Sequence, residues 1–393
     1  MRIVWLLPYL PLPVTTGGRR RVLNLVRLLS TSHEITLVAY WRGESEREVS
    51  AVRQLVNKLF VVSRRPTTSA LNVLLWMIGP WPFMAVANGF NRRMASSLKL
   101  AITEAEPDVV QCEHFHMWQV LAAARSPGWP PVLLAEQGVE SLVTKRFLAA
   151  APFLQRLGLR IDLTKAKKWE REAYLSADGL IAVSEGDRKL ISQRAPSVRS
   201  WVVENGVDTE LFSPDPTARL RKPDVLLFIG TFSFFGNRDA LRYICRDILP
   251  GVRERRPGAR LKVIGERPPL VDVEGVEFLG SVRDVVPYLR EASLLLAPLR
   301  TGSGTKLKIL EAMACGLPFV TTDYGLEGLE GAAGAGFVAN TPRSLIDAAV
   351  RVLEDPALAK RLGQRGRAIV EAGYSWERSA RALEQAWTEI TSG

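Results

Sequence analysis

The sequence predicts an α/β protein built from two Rossmann-like, doubly wound domains facing a cleft, on three observations. Short apolar runs alternate with helical stretches from the first residues onward. That rhythm breaks between Thr209 and Asp224, where Ser213-Pro214-Asp215-Pro216 and Arg221-Lys222-Pro223 read as a linker, and then restarts. The 393 residues are enough for two domains of ordinary size, each with its own core. Strands alternating with helices call for parallel sheets covered on both faces, and ligands of such sheets bind outside the carboxyl ends of the strands.

In chain order, Ile3 to Leu7 is a buried strand, Gly17-Gly18 a turn, and Arg19 to Leu29 a helix whose Val22, Leu25, Val26 and Leu29 recur at helical spacing. Ile35 to Tyr40, Asp108 to Val110, Val132 to Ala135 and Gly179 to Val183 are further strands. After the break, strands are expected at Val225 to Ile229, Arg260 to Ile264, Val276 to Leu279, Ser293 to Ala297 and Pro318 to Thr321, and Thr341 to Ile390 is largely helical. The expected division is a first domain over residues 1–205, a linker over 206–223, a second domain over 224–373, and a terminal helix over 374–393 that returns to the first domain.

Two apolar stretches imitate targeting signals. Ile3 to Val14 is interrupted by Pro8, Pro11 and Pro13 and has no small-x-small cleavage site, so it reads as the first strand. Ser69 to Ala87 runs without a charge, but Gly79, Pro80 and Pro82 break any helix across it. Cys112, Cys245 and Cys315 are odd in number and far apart, so neither a disulfide framework nor a zinc set follows, and a cytoplasmic location is expected. The net charge of +11 is lopsided: residues 1–205 carry 27 Lys and Arg against 17 Asp and Glu, a net +10. An anionic membrane surface is the partner that this asymmetry suggests, with solubility as the plainer reading. Nucleic acid is not expected, since no helix-turn-helix, zinc-finger or RNA-recognition signature is present.

The segment from Leu299 to Ala312 is the most informative. Gly302 and Gly304 permit a tight turn and close approach of backbone to a ligand, with Ser303 between them. Thr305 suits a helix N-cap, and amides at a helix start attract anions. Lys306 is a cation opposing the helix dipole, a conflict that a bound phosphate removes. Glu311, two turns in, can accept both hydroxyls of a ribose. On the plainer reading this is an ordinary strand-turn-helix with Lys308 and Glu311 as a surface pair.

Three segments then carry a resemblance. Glu204-Asn205-Gly206-Val207-Asp208-Thr209-Glu210-Leu211-Phe212 resembles the domain-junction signature of the family-four retaining glycosyltransferases, and Leu310 to Pro318 (LEAMACGLP) is similar to their donor-helix segment. Tyr374-Ser375-Trp376 falls in the expected order. Gly-Ser-Gly-Thr-Lys-Leu-Lys with Gly325-Leu326-Glu327-Gly328 resembles a branch found in bacterial polysaccharide clusters. The resemblance implies the GT-B fold, a nucleotide-diphosphate sugar donor, retention of configuration and a glycan, lipid-linked or other hydroxyl acceptor. It implies no metal and no other cofactor.

By that resemblance the donor side holds Gly17, Gly18, Gly230, Thr231, Gly302, Ser303, Gly304, Thr305, Lys306, Leu307 and Glu311, with Gly265, Phe278 and Leu279 beside the base. Arg20, Glu113, His114 and Glu136 fall on the acceptor side, and Gln137, Lys306 and Arg300 are the candidates for catalysis. Four positions depart from the family pattern. Ser303 replaces the first Glu of its E-x7-E pair, Thr231 and Gly236 replace its Arg and Lys, and Gln137 replaces its donor-sugar histidine. Arg300 and Lys306 are then expected to supply the phosphate charge. Two other readings fit a chain with these departures: a catalytically weak partner subunit that binds nucleotide sugar or glycan, and a sugar-nucleotide epimerase of the same fold.

Overall fold

The computed structural model describes residues 1–67, 69–89, 91–151, 153–215, 221–269, 273–301 and 304–392, with the side chains of 89, 150, 154 and 330 left aside. Contacts divide the chain into two compact units, Met1–Glu204 with Ser379–Gly393, and Asn205–Arg378.

In the first unit, β1 (Arg2–Leu7), β2 (Glu34–Trp41), β3 (Lys58–Ser63), β4 (Val109–Glu113), β5 (Val132–Ala135), β6 (Gly179–Ala182) and β7 (Ser200–Val202) form a parallel sheet in the order β3-β2-β1-β4-β5-β6-β7. The central strands are buried on both faces, as in a sheet covered twice, and apolar apart from Gln111 and Glu113 of β4. β3 and β7 lie at the two edges and were not expected from sequence. Their side chains are only half-buried, so they lack the continuous apolar run that marks the inner strands.

The second unit repeats the plan. Here β8 (Val225–Ile229), β9 (Arg260–Ile264), β10 (Val276–Gly280), β11 (Leu294–Ala297), β12 (Phe319–Thr321) and β13 (Gly336–Val338) are ordered β10-β9-β8-β11-β12-β13. β8 and β9 have the expected bounds, and β13 is a further short edge strand. In each unit the strand order reverses beside the first strand, between β1 and β4 and between β8 and β11. That reversal opens a crevice at the carboxyl edge of the sheet.

Two local details differ from expectation, and a third follows it. Helix Gly17–Leu29 begins at the glycines, because Thr16 caps it by accepting from the Arg19 amide. The stretch expected as a linker is packed in part: Phe212 is buried in the second unit, and Arg367 donates to the carbonyls of Thr209 and Phe212. Residues 216–220 of that stretch lie outside the described residues. The apolar run from Ser69 is split into helices Ala70–Ile78 and Phe83–Gly89, and among the described residues no helix is long and apolar enough to cross a membrane.

The terminal helix Trp376–Thr391 supplies Ala380, Leu383, Ala386 and Trp387 to the core beneath β1. There Trp387 meets Trp5 edge-on at 6.0 Å and donates its indole N–H to Gln111 at 2.7 Å.

Candidate active site

In the second unit the crevice beside β8 gathers most of the predicted donor residues. β8 runs into Gly230 and Thr231 and then helix Phe235–Tyr243, while β11 runs into Leu299 to Thr305 and then helix Leu307–Ala314. Neither helix start carries a side-chain cap. The expected N-cap, Thr305, lies one residue too early: Lys306 occupies the cap position, and its ammonium folds back onto the Gly304 carbonyl. The helix ends as its Gly predicts, with Gly316 left-handed (φ 65) and the Leu317 amide reaching back to Ala312 at 2.8 Å.

Close backbone approach explains two of the glycines. Gly265 (φ 145) follows β9 and lies against the Gly230 carbonyl, so that a Cβ would overlap that oxygen. A Cβ on Gly230 would meet Asn237 at 2.9 Å. The two helix starts are joined by polar contacts: Asn237 donates to the Thr231 carbonyl at 2.9 Å and accepts from Lys308 at 2.8 Å. Thr301, buried in the loop after β11, has a hydroxyl without a hydrogen-bond partner among the described residues, and that oxygen would stand 2.8 Å from a Cβ on Gly236. Two helix starts whose N-cap side chains make no cap bond and this buried hydroxyl thus converge on one place, and helix starts are where backbone amides attract phosphate.

Lys308 is the residue that sequence reasoning missed. It makes no surface pair with Glu311. Its ammonium sits 4.7 Å from the centre of the Phe228 ring, and among the described residues no carboxylate pairs with it. Burial, and then the charge of Lys306, pulls its pKa down to about 7. The signal was its place two residues past Lys306 in a helix whose later residues are buried, where a solvated pair is poorly accommodated.

Arg300 is held by the protein itself. Its guanidinium is clamped on Asp239 at 2.9 and 2.6 Å and lies over the Tyr243 ring. Asp239 is thus the carboxylate partner of this charge. Glu311 is buried on the helix, Leu307 is half-buried at its first position, and Gly302 and Ser303 lie outside the described residues. Phe278 and Leu279 end β10 beside Gly265, whose amide donates to the Gly280 carbonyl; Phe278 is exposed.

In the first unit the crevice beside β1 holds a different chemistry. Glu113, at the end of β4, is buried and accepts from Trp5 (3.0 Å), Gln111 (2.9 Å) and Gln137 (2.9 Å). Gln137 follows β5. Its amide also contacts the Tyr9 hydroxyl, and its oxygen lies against Gly18, whose missing side chain makes the room. Gly18, Glu113 and Gln137 are therefore neighbours, as is Tyr9, which no motif singled out. Gly17 is exposed at the helix start. Arg20 is half-buried in the first turn, where burial lowers its pKa.

Glu136 is buried and accepts the Phe115 amide at 2.8 Å; burial, and then Glu170, raise its pKa well above the ordinary value. His114 (φ 66) stacks on His116 at 4.9 Å, and burial lowers the pKa of both rings. Among the described residues no three side chains gather that could hold a metal ion.

Comparison with known proteins places this architecture. The profile of Glycosyltransferase Family 4 matches residues 15–211, and that of Glycosyl transferases group 1 matches residues 223–355. The chain is 26% identical to the GDP-mannose-dependent alpha-(1-6)-phosphatidylinositol monomannoside mannosyltransferase of Mycolicibacterium smegmatis, over 95% of each chain. It is 32% identical to the GDP-mannose-dependent monoacylated alpha-(1-6)-phosphatidylinositol monomannoside mannosyltransferase of Corynebacterium glutamicum, over 33% of this chain and 39% of that one. Sucrose-phosphate synthase from Thermosynechococcus elongatus superposes with a TM-score of 0.74 at 17% identity, covering both chains fully, and so shares the GT-B fold. With its two profiles in order along the chain, this chain belongs to glycosyltransferase family 4 and transfers sugar from a nucleotide-sugar donor.

Proposed function

We propose that the chain transfers a hexose, with retention of configuration, from a nucleotide-diphosphate sugar to a hydroxyl on a lipid-linked acceptor, without a metal or other cofactor. The observation that carries the donor half is the crevice beside β8, where Lys308 has no carboxylate partner among the described residues and is joined through Asn237 to the start of the other helix. The mannosyltransferase relatives support a lipid-borne acceptor and make GDP-mannose the first donor to test.

In this reading the diphosphate lies across the starts of helices Phe235–Tyr243 and Leu307–Ala314, with the Thr301 hydroxyl, Lys306 and Lys308 around it. The bond between the anomeric carbon and the β-phosphate oxygen breaks, and negative charge grows on that oxygen. The two lysines and the helix amides stabilise the charge where it develops, which is where electrostatic catalysis acts. The acceptor oxygen bonds to the anomeric carbon on the same face, and its proton passes to the departing phosphate. No enzymic base is required, which suits a site with Gln137 in place of the family histidine, since an amide hydrogen-bonds a sugar hydroxyl and does not titrate. Glu113 holds that amide in one orientation.

Release of nucleotide diphosphate from GDP-mannose, UDP-glucose and ADP-glucose, with and without membrane lipid extract, tests this. Acceptor-stimulated release from one donor, with an α-linked product, is expected. Release that lipid never stimulates would leave the epimerase or partner-subunit readings in its place.

A further inference from the structure

Beside edge strand β3, in the first unit, lies an open cavity of about 1030 Å³. Arg65, Arg92, Arg93 and Lys99 line it, and no acidic residue does so among the described ones. These four side chains are exposed, and among the described residues none has a carboxylate partner. Deeper in, the Gln119 amide and the Trp169 indole N–H have no hydrogen-bond partner among the described residues. Four uncompensated cations over unsatisfied donors make a site for an anion with several oxygens.

The elements around the cavity are apolar on the wrong side for a water-facing surface. In helix Ala70–Ile78 the one buried residue is Asn72, tied to the Pro66 and Thr67 carbonyls. Leu71, Leu74, Met77 and Ile78 are turned outward, the last two 66% and 74% exposed. Leu75 and Trp81 point to the cavity. Helix Phe153–Ser176 packs on this helix through Trp76, which donates to Asp162 at 2.8 Å. It exposes Phe153 (84%), Leu157 (69%) and Ile161 at a spacing of four residues, hence along one side. Apolar stripes beside a basic hollow match the boundary between acyl chains and phosphate headgroups.

We infer that this cavity binds the phosphate-bearing headgroup of an anionic phospholipid, while the two apolar stripes enter the outer acyl layer of the same membrane. The inference rests on the lipid-linked acceptor proposed above and adds a site whose lining shares no residue with the crevices beside β1 and β8. Four cations attract the surface and the stripes hold the protein there, so binding depends on both, and on salt.

Co-sedimentation of the full chain with phosphatidylglycerol and phosphatidylcholine vesicles reads this directly. Binding to phosphatidylglycerol alone is expected, weakening as salt rises from about 0.05 to 0.5 M. Each charge removed lowers partitioning about fivefold, so Arg92→Gln/Arg93→Gln loses about 25-fold. Met77→Ser/Ile78→Ser should also release the protein. Glycerol phosphate should displace it further than sodium chloride of equal ionic strength; equal displacement would overturn the headgroup cavity.

Vesicle binding that both double variants retain would overturn the location. A dimer in solution that Met77→Ser/Ile78→Ser dissolves, with no vesicle binding, would assign the stripes to a second copy and overturn the inference. Nucleotide-diphosphate release with lipid acceptor dispersed in detergent, in place of vesicles, reports on fold and donor chemistry separately. Normal release with no vesicle binding sinks this site alone, whereas vesicle binding without release sinks the proposed function alone.

Discussion

At the residue scale, the proposed function makes Lys308 the group whose state decides donor binding. Its pKa of about 7 belongs to the protein without a ligand. A diphosphate favours the charged form and raises that pKa, so binding takes up a proton wherever the free lysine is neutral. Affinity for a sugar nucleotide should be flat below about pH 6 and fall by up to about tenfold per unit above pH 7. The sugar nucleotide is the right probe, because a free terminal phosphate titrates near pH 6 and confuses the slope. Lys308→Met should remove the slope and weaken affinity about 10- to 150-fold, the loss of one charge-assisted contact. Titration calorimetry between pH 6 and 9 checks both, and a slope that survives in the variant refutes the assignment. The sequence disclosed the glycine turn and Lys306 but not Lys308. Its role is set by Phe228 and Asn237, which no local pattern connects to it.

At the element scale, the glycines at the carboxyl ends of the strands do two different jobs, and substitution separates them. Gly265→Ala places a Cβ on the Gly230 carbonyl at a φ of 145 that side chains rarely adopt. Neither backbone can yield, so a loss of about 2–5 kcal/mol is expected from overpacking and strain together. Gly18→Ala meets only the ends of the Gln137 and Tyr9 side chains, the latter at 2.5 Å, and both can swing away. It should cost under about 1 kcal/mol of stability yet displace the Gln137 amide, lowering transfer at least about tenfold. Denaturation curves beside turnover distinguish the two; equal destabilisation would contradict the geometry. The inner strands were legible because burial on both faces writes a continuous apolar run. β3, β7 and β13 were not, because an edge strand is specified by its neighbour more than by its own residues.

At the scale of the molecule, the terminal helix makes the stability of the first unit depend on the last residues of the chain. Trp387 fills the space beneath β1 and satisfies Gln111, which in turn donates to Glu113. Trp387→Ala should therefore cost about 3–5 kcal/mol, the usual loss for a large buried aromatic. The two units have separate cores, so unfolding should show two transitions, with only that of residues 1–204 moving. Fluorescence and circular dichroism in guanidinium read this, and a uniform shift of both transitions would count against it. The doubling of the fold was readable from rhythm alone. The layout of the two crevices was not, since it joins residues from β1, β4 and β5, or from β8, β9 and β11, that lie far apart in sequence.

The same helix inverts the usual order of events on the ribosome. Nascent domains ordinarily close from the amino terminus onward as they emerge. Here residues 205–378 are synthesised in one piece and hold their own core, whereas residues 1–204 leave the exit tunnel first and lack Leu383, Ala386 and Trp387 until residues 379–393 have been made. The unit begun first is thus completed after the other. Through that interval its β1 side is an apolar surface, and a chain cut before residue 379 carries a finished second unit on an unfinished first.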